Sequence, residues 1–204
     1  MPDIAATGKA AKPITAAEYS PDGKTLAVGR FGSVEIGDLT IPVEGKVNNL
    51  HFSSDGSKLI IATGITGLKG IATVNDIKTG EKILEIGEGY HRDILYDAEF
   101  SPDGKYIATT GYDRTIQLWD ATSGKFIRRI EGHNGAIFDI AFSPDSTLIA
   151  SASADETGKI WRVSDGERLD TLNQPEGEQF RIAFTPYGRY IVCTGGDKKI
   201  RLWR

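Results

Sequence analysis

The chain is poor in the residues that carry covalent and metal chemistry. Its 204 residues include one cysteine, Cys193, and three histidines, His51, His91 and His133. A single thiol makes no intrachain disulfide, no cysteine-based metal cage and no C-x-x-C-H haem attachment. No apolar run approaches the roughly 20 residues that span a bilayer. The opening "MPDIAATGKAAKPIT" lacks the apolar core and basic flank of a secretory leader. Basic residues are not in excess, with 24 Lys and Arg against 28 Asp and Glu and a formal charge of −4, so a phosphate backbone is a poor partner. Also missing are the G-x-S-x-G elbow, H-E-x-x-H, an acidic calcium loop and an N-x-S/T sequon. These absences predict a chain with no cofactor, no metal, no nucleic-acid partner and no membrane partner. They predict a soluble, cytoplasmic protein, or an exported one if the sequence is cut from something longer.

What is present is a repeat. "YSPDG" at Tyr19, "FSSDG" at Phe52, "FSPDG" at Phe100, "FSPDS" at Phe142 and "FTPYG" at Phe184 lie 33, 48, 42 and 42 residues apart. A period near 42 falls in the range of four-stranded propeller blades. In "SPDG", Pro102 presets φ at the second turn position and Gly104 suits the exit, the chemistry of a tight hairpin. Short apolar runs flank each turn ("AIFDIAF", "TLIASAS", "GKIWRV", "ERLDTL"), and no helical period appears. The prediction is a single all-β domain over 1–204. Its units of four short strands lie near 13–38, 46–87, 91–131, 133–173 and 178–203, with 1–12 as a tail or closing strand.

One stretch, "EGHNGAIFDIAFSPDSTLIASASADETGKIW" (131–161), sets His133, Ser151, Asp155 and Trp161 together and invites a hydrolase reading. The unit before it places His91, Thr109, Asp113 and Trp119 at the same offsets from its aromatic anchor. Structural networks in repeats are duplicated by construction, whereas catalytic triads seldom are. Asp can accept from an imidazole N–H, the imidazole can link to a hydroxyl, and the hydroxyl can meet the indole N–H, satisfying all the groups.

The residues "GH" (132–133), "FSPDG" (100–104) and "LWD" (118–120), with echoes "IW" (160–161) and "LW" (202–203), resemble WD40 repeats, particularly the regular arrays of bacterial proteins. The resemblance covers Ile14 to Trp203. It implies a β-propeller in which the His precedes the innermost strand, the Ser or Thr lies on the second, the Asp sits in the next turn and the Trp lies on the third. It also implies a non-catalytic scaffold that offers loops and channel rim to a protein or peptide. Family propellers most often carry seven blades and this chain about five. That leaves open a small ring, closure by a second copy, or a piece of a larger multidomain protein whose activity lies elsewhere.

The pattern thins at both ends. The fifth unit keeps Asp197 and Trp203, with Pro175 in the His slot and Cys193 in the hydroxyl slot. The first two units put Gly37 and Asn75 where Trp stands. Glu18, His51 and Glu99 share a different slot and are the candidates for an alternative enzymatic or ligand-binding channel site. Gly64, Gly67 and Gly70 in "TGITGLKG" are read as an elongated hairpin loop, because no Walker lysine follows. For partner contact the candidates are Tyr96, Phe138 and Phe180, four residues before their anchors, together with Tyr112 and Arg92, residue types favoured at binding sites.

Overall fold

The computed structural model describes residues 12–173 and 177–204. Among these residues every regular element is a strand. The first unit holds β1 (Ala16–Tyr19), β2 (Leu26–Ile36) and β3 (Leu39–Lys46). The second holds β4 (Asn49–Phe52), β5 (Lys58–Ile65), β6 (Lys69–Asp76) and β7 (Lys82–Ile86). The third runs β8 (Leu95–Phe100), β9 (Tyr106–Gly111), β10 (Ile116–Asp120) and β11 (Phe126–Ile130). The fourth runs β12 (Ile137–Phe142), β13 (Leu148–Ser153), β14 (Thr157–Arg162) and β15 (Arg168–Asn173). The fifth contains β16 (Gln179–Phe184), β17 (Ile191–Gly195) and β18 (Ile200–Trp203).

The repeated turn explains the hairpin between the first two strands of each unit. The Ser101 hydroxyl donates to Asp103 Oδ1 (2.6 Å) and accepts the Tyr106 N–H (2.9 Å). The Gly104 N–H closes the turn on the Ser101 carbonyl. Gly104 sits at φ 71°, where a side chain is unfavourable. Ser20–Asp22, Ser53–Asp55 and Ser143–Asp145 repeat the hydroxyl-to-carboxylate bond.

The third and fourth units are four-stranded antiparallel sheets in simple meander order. Apolar side chains cover both faces, so the core lies between successive sheets. Ala108, Ile116 and Leu118 of the third sheet pack on Ile140, Phe142, Ile149 and Trp161 of the fourth. Ala141, Ala150 and Ile160 on the other face of the fourth pack on Ile182 and Cys193 of the fifth. Two further cores join the first sheet to the second and the second to the third. Innermost strands therefore neighbour one another in chain order, β1, β4, β8, β12, β16.

The first unit departs from the expected four strands and three turns. Leu26–Ile36 is one continuous strand with no second turn. Its first half pairs with β1 and its second half with β3, with a register shift between Phe31 and Ser33. Gly32 takes φ 87° at that shift, so the chain absorbs the irregularity as a bulge-like kink. A single parallel bridge, Gly45 to Gly64, joins this three-stranded unit to the second. "TGITGLKG" forms the tip of the β5–β6 hairpin, where the Asp93 carboxylate accepts the Gly67 N–H (2.8 Å). The fifth sheet has three strands in the order β16, β17, β18. Of the closing segment entertained at the N-terminus, residues 1–11 lie outside the described residues, as does Pro175. Lys12–Ile14 are not in a strand.

Candidate functional site: the loop rim and the networks behind it

Two hydrogen-bonded chains stand behind the loops of the third and fourth sheets. In the fourth, the Trp161 indole N–H donates to Ser151 Oγ at 2.8 Å. Ser151 Oγ lies 2.7 Å from His133 Nε2, and His133 Nδ1 lies 2.8 Å from Asp155 Oδ2. In the third, the corresponding distances are 2.9 Å (Trp119 to Thr109), 2.7 Å (Thr109 to His91) and 2.9 Å (His91 to Asp113). One tautomer satisfies every group: Nδ1–H donates to the carboxylate, and Nε2 accepts the hydroxyl proton. Desolvation pushes the His133 imidazole below its ordinary range, with the Asp155 bond opposing it, which keeps that neutral form. Burial would raise the Asp155 carboxyl. Hydrogen bonds from His133, Thr157 and the Asn134 N–H outweigh burial and hold it well below the usual carboxylate range.

The distances from Ser151 to His133 to Asp155 match those of a hydrolytic triad, yet access differs. Ser151 and Thr109 are fully buried, and each hydroxyl already receives an indole proton. A nucleophile needs an exposed oxygen and a neighbouring oxyanion hole; here both hydroxyls are enclosed by sheet. In the fifth sheet the chain is not assembled. Among the described residues the Trp203 indole nitrogen is buried with no partner, and Cys193 offers only a weakly accepting sulfur in the hydroxyl slot. Burial pushes the Cys193 thiol up to about 12, so the thiolate that reactivity requires is suppressed. Asp197 is engaged by the Arg201 guanidinium and the Lys199 N–H.

Three groups of residues were not singled out from the sequence. Asp97 Oδ2 on β8 accepts the N–H of Ile140 on β12 (2.9 Å), and Asp139 Oδ2 on β12 accepts the N–H of Ile182 on β16 (2.7 Å). These carboxylates pin each innermost strand to the next, and their identical place three residues before the anchor was the available signal. Arg181, in the same slot, turns back to Asp139 at 2.6 Å. Lys159 is buried, with Nζ 3.2 Å from Asp155 Oδ2 and 2.5 Å from Thr157 Oγ1. Its place on the strand next to Ser151 gives no sequence signal of burial, since lysine is ordinarily solvated.

The alternative channel residues make inter-sheet contacts. His51 Nδ1 accepts the Phe100 N–H at 3.1 Å, and burial lowers its imidazole to about 4. The Glu18 and Glu99 carboxyls lie near the backbone of Phe52 and Phe142, which opposes the effect of burial on each. Burial raises Glu18 to about 7 and Glu99 well above its ordinary value. All three line a cavity of about 370 Å³ with the anchor aromatics of the five units. Among the described residues no three His, Cys, Asp or Glu side chains converge as a metal-holding group.

The partner candidates lie at the opposite end of the innermost strands. Tyr96 packs edge-on against Phe138 with ring centroids 5.3 Å apart, and Phe138 against Phe180 at 5.7 Å. Tyr96, Phe138, Tyr112 and Arg92 line one cavity of about 770 Å³ between the third and fourth sheets. Phe180 lies outside that lining and continues the aromatic run. The networks buttress this rim: Asp113 accepts the Arg92 N–H and Asp155 the Asn134 N–H, at 3.3 and 2.9 Å.

Repeated sheets with buried aromatic, hydroxyl, imidazole and carboxylate chains define a partial β-propeller. The family model "WD domain, G-beta repeat" matches residues 85–120, 124–162 and 166–204, more than half of the chain. The chain belongs to the WD40 repeat family. Each match begins on or just before the outermost strand of one sheet and ends at the close of the third strand of the next. The chain is similar to an uncharacterized WD repeat-containing protein of Synechocystis, 31% identical over 60% of this chain and 36% of the relative. It is also similar to Cell division cycle 20.1, cofactor of APC complex, of Arabidopsis thaliana, 26% identical over 61% of this chain and 29% of the relative. A Notchless protein homolog of the same plant is 38% identical over 22% of this chain and 10% of the relative. The match thus spans little more than a third of these relatives' lengths at most. Proteins of this family are typically interaction scaffolds. Among the described residues no helix is long and apolar enough to cross a membrane.

Proposed function

We propose that the chain is a non-catalytic interaction module whose partner, a protein or peptide, engages the rim built from Arg92, Tyr96, Tyr112, Phe138 and Phe180. The carrying observation is the aromatic run Tyr96–Phe138–Phe180 beside a cavity of peptide-binding size. Aromatic anchors in a concave, pre-formed site supply contact area at low entropic cost. Behind them, polar groups that could do chemistry are occupied by structural bonds. The test is selection of displayed peptides on the immobilised chain, repeated with Phe138→Ala and Tyr112→Ala. Binders lost on these variants while the melting temperature holds support the reading; binders indifferent to both substitutions refute it.

One observation favours a second contact. Leu118 and Ile160, on the third strands of their sheets, are 1% and 6% exposed beneath the following sheet. Leu202 occupies the same place in the fifth sheet and is 61% exposed, with Ile200 beside it at 78%. We read this face as the seat of a further sheet, supplied by a second copy that completes the ring. A defined oligomer by light scattering that Leu202→Glu dissociates is the expected result; a monomer at tens of micromolar refutes it.

A further inference from the structure

We infer that the cavity between the third and fourth sheets takes a peptide bearing an oxyanion side chain, a carboxylate or a phosphomonoester, clamped by Arg92 and Arg114. This rests on the rim being the partner face and names the chemistry it recognises.

The charges around the cavity are sorted by wall. Arg92, Tyr112 and Arg114 come from two loops of the third sheet, and Arg129 stands beside them on β11. The two carboxylates on that wall are already engaged. Asp113 accepts from His91, from the Arg92 and Thr115 N–H groups and from the Thr115 hydroxyl. Asp93 Oδ1 accepts the N–H groups of Gly67 and Ile94. Both oxygens of Asp113 and one of Asp93 are thus taken up by the loops they order. Arg129 is paired with Glu131 at 2.9 Å. The guanidiniums of Arg92 and Arg114 enter no ion pair or hydrogen bond among the described residues, and both side chains are exposed. Glu178 is the carboxylate on the far wall, ahead of β16.

Arg114 is not there for the turn's sake. It occupies φ 66°, and its counterparts Glu156 and Lys198 occupy 68° and 63°. One turn geometry therefore carries arginine, glutamate and lysine in three successive sheets, so the choice at 114 is free to follow a ligand. Two unpaired planar donors flanking Tyr112 suit bidentate capture of an oxyanion, while Tyr96 and Phe138 give the peptide an apolar floor. The wall-to-wall opposition with Glu178 sets a direction, acidic residue toward the third sheet.

The probe is a set of five nine-residue peptide libraries, degenerate except at a central Ser, phosphoserine, Glu, Gln or Lys, read by fluorescence anisotropy at low salt. The Glu and phosphoserine sets are expected to bind about fivefold tighter than Gln and Ser, with Lys weakest. Arg92→Gln with Arg114→Gln should level the series at unchanged melting temperature, and added salt should shrink it. Whichever of Glu and phosphoserine ranks first identifies the source of the oxyanion. Equal binding of all five sets, lost on Phe138→Ala, overturns the oxyanion assignment and leaves the partner rim standing. No binding by any set overturns both. An oligothymidylate of nine nucleotides that binds as tightly as the best set overturns the peptide assignment.

Discussion

Replacing Ser151 by Ala removes one oxygen and little volume, which isolates what the hydroxyl does. That oxygen receives the Trp161 indole proton at 2.8 Å and faces His133 Nε2 at 2.7 Å, in a side chain with no solvent exposure. Its loss strands a donor and an acceptor where water does not reach. Each stranded buried group costs about 1–3 kcal/mol, so the variant is destabilised by about 2–5 kcal/mol, the larger figure if the imidazole cannot reorient. For a domain of this size 1 kcal/mol corresponds to about 2–4 °C, giving an expected fall of about 4–20 °C in melting temperature by circular dichroism. Ser151→Thr is the control: Thr109 fills the same place in the third sheet, so the hydroxyl survives and most of the loss should vanish. Adding Trp161→Phe to Ser151→Ala removes the stranded donor as well, and the double variant should lose less than the sum of the singles. An unchanged melting temperature in Ser151→Ala would refute the reasoning. If that variant instead lost an esterase activity of the parent, the buried chain would be catalytic machinery after all.

Three other outcomes follow from the same geometry. Glu18 is raised by burial to about 7, so the native state holds its proton more tightly than the unfolded chain and stability falls as pH rises from the ordinary glutamate range through 7. Glu18→Gln should match the parent in urea unfolding at pH 4 and exceed it at pH 8, and a constant difference would count against a titrating Glu18. Asp139→Ala removes the acceptor of the Ile182 N–H and the partner of Arg181, so amide exchange in β16–β18 should accelerate while the β8–β11 amides keep their protection. Gly111→Ala would bring a Cβ within 2.2 Å of the Ile94 carbonyl oxygen, and backbone displacement there should cost about 1–3 kcal/mol. Gly104→Ala meets open space and should cost only the strain of positive φ, which thermal melts can compare directly.

Local chemistry that repeats was readable from the sequence. The SPDG turns, the strand alternation between them and the shared offsets of histidine, hydroxyl, aspartate and tryptophan follow from spacing, because each unit solves the same packing problem. What escaped depends on particular tertiary contacts, some within a unit and some between units. The first unit is expected to hold four short strands, but pairing with β1 on one half and β3 on the other makes β2 a single long one. Lys159 has its ammonium drawn inward by Asp155 and Thr157, a contact that no spacing in the sequence announces. Asp97 and Asp139 sit inside apolar strands, and the reason for a carboxylate there is a backbone N–H on the following sheet, some 43 residues away in the chain. Trp203 matches its counterparts in spacing, but the residue that would accept its proton is a cysteine.

The division of labour among polar groups explains why the rim is the place to look for function. Side chains capable of acid–base or nucleophilic work are spent on joining strands within a sheet, as at His133 and Ser151, or one sheet to the next, as at Asp139 and His51. A half-satisfied buried network costs more than an apolar core, so recruiting any of these groups for chemistry would loosen the fold that positions it. Among the described residues, Arg92, Tyr112 and Arg114 are exposed at the mouth of the cavity and take no part in these buried networks, and Asp113 orders the loops that carry the two arginines. Their freedom depends on the buried chains, because Asp113 anchors both the loop that carries Arg92 and the turn that carries Arg114. Changing Asp113 should therefore weaken binding and stability together, whereas changing the two arginines should weaken binding alone.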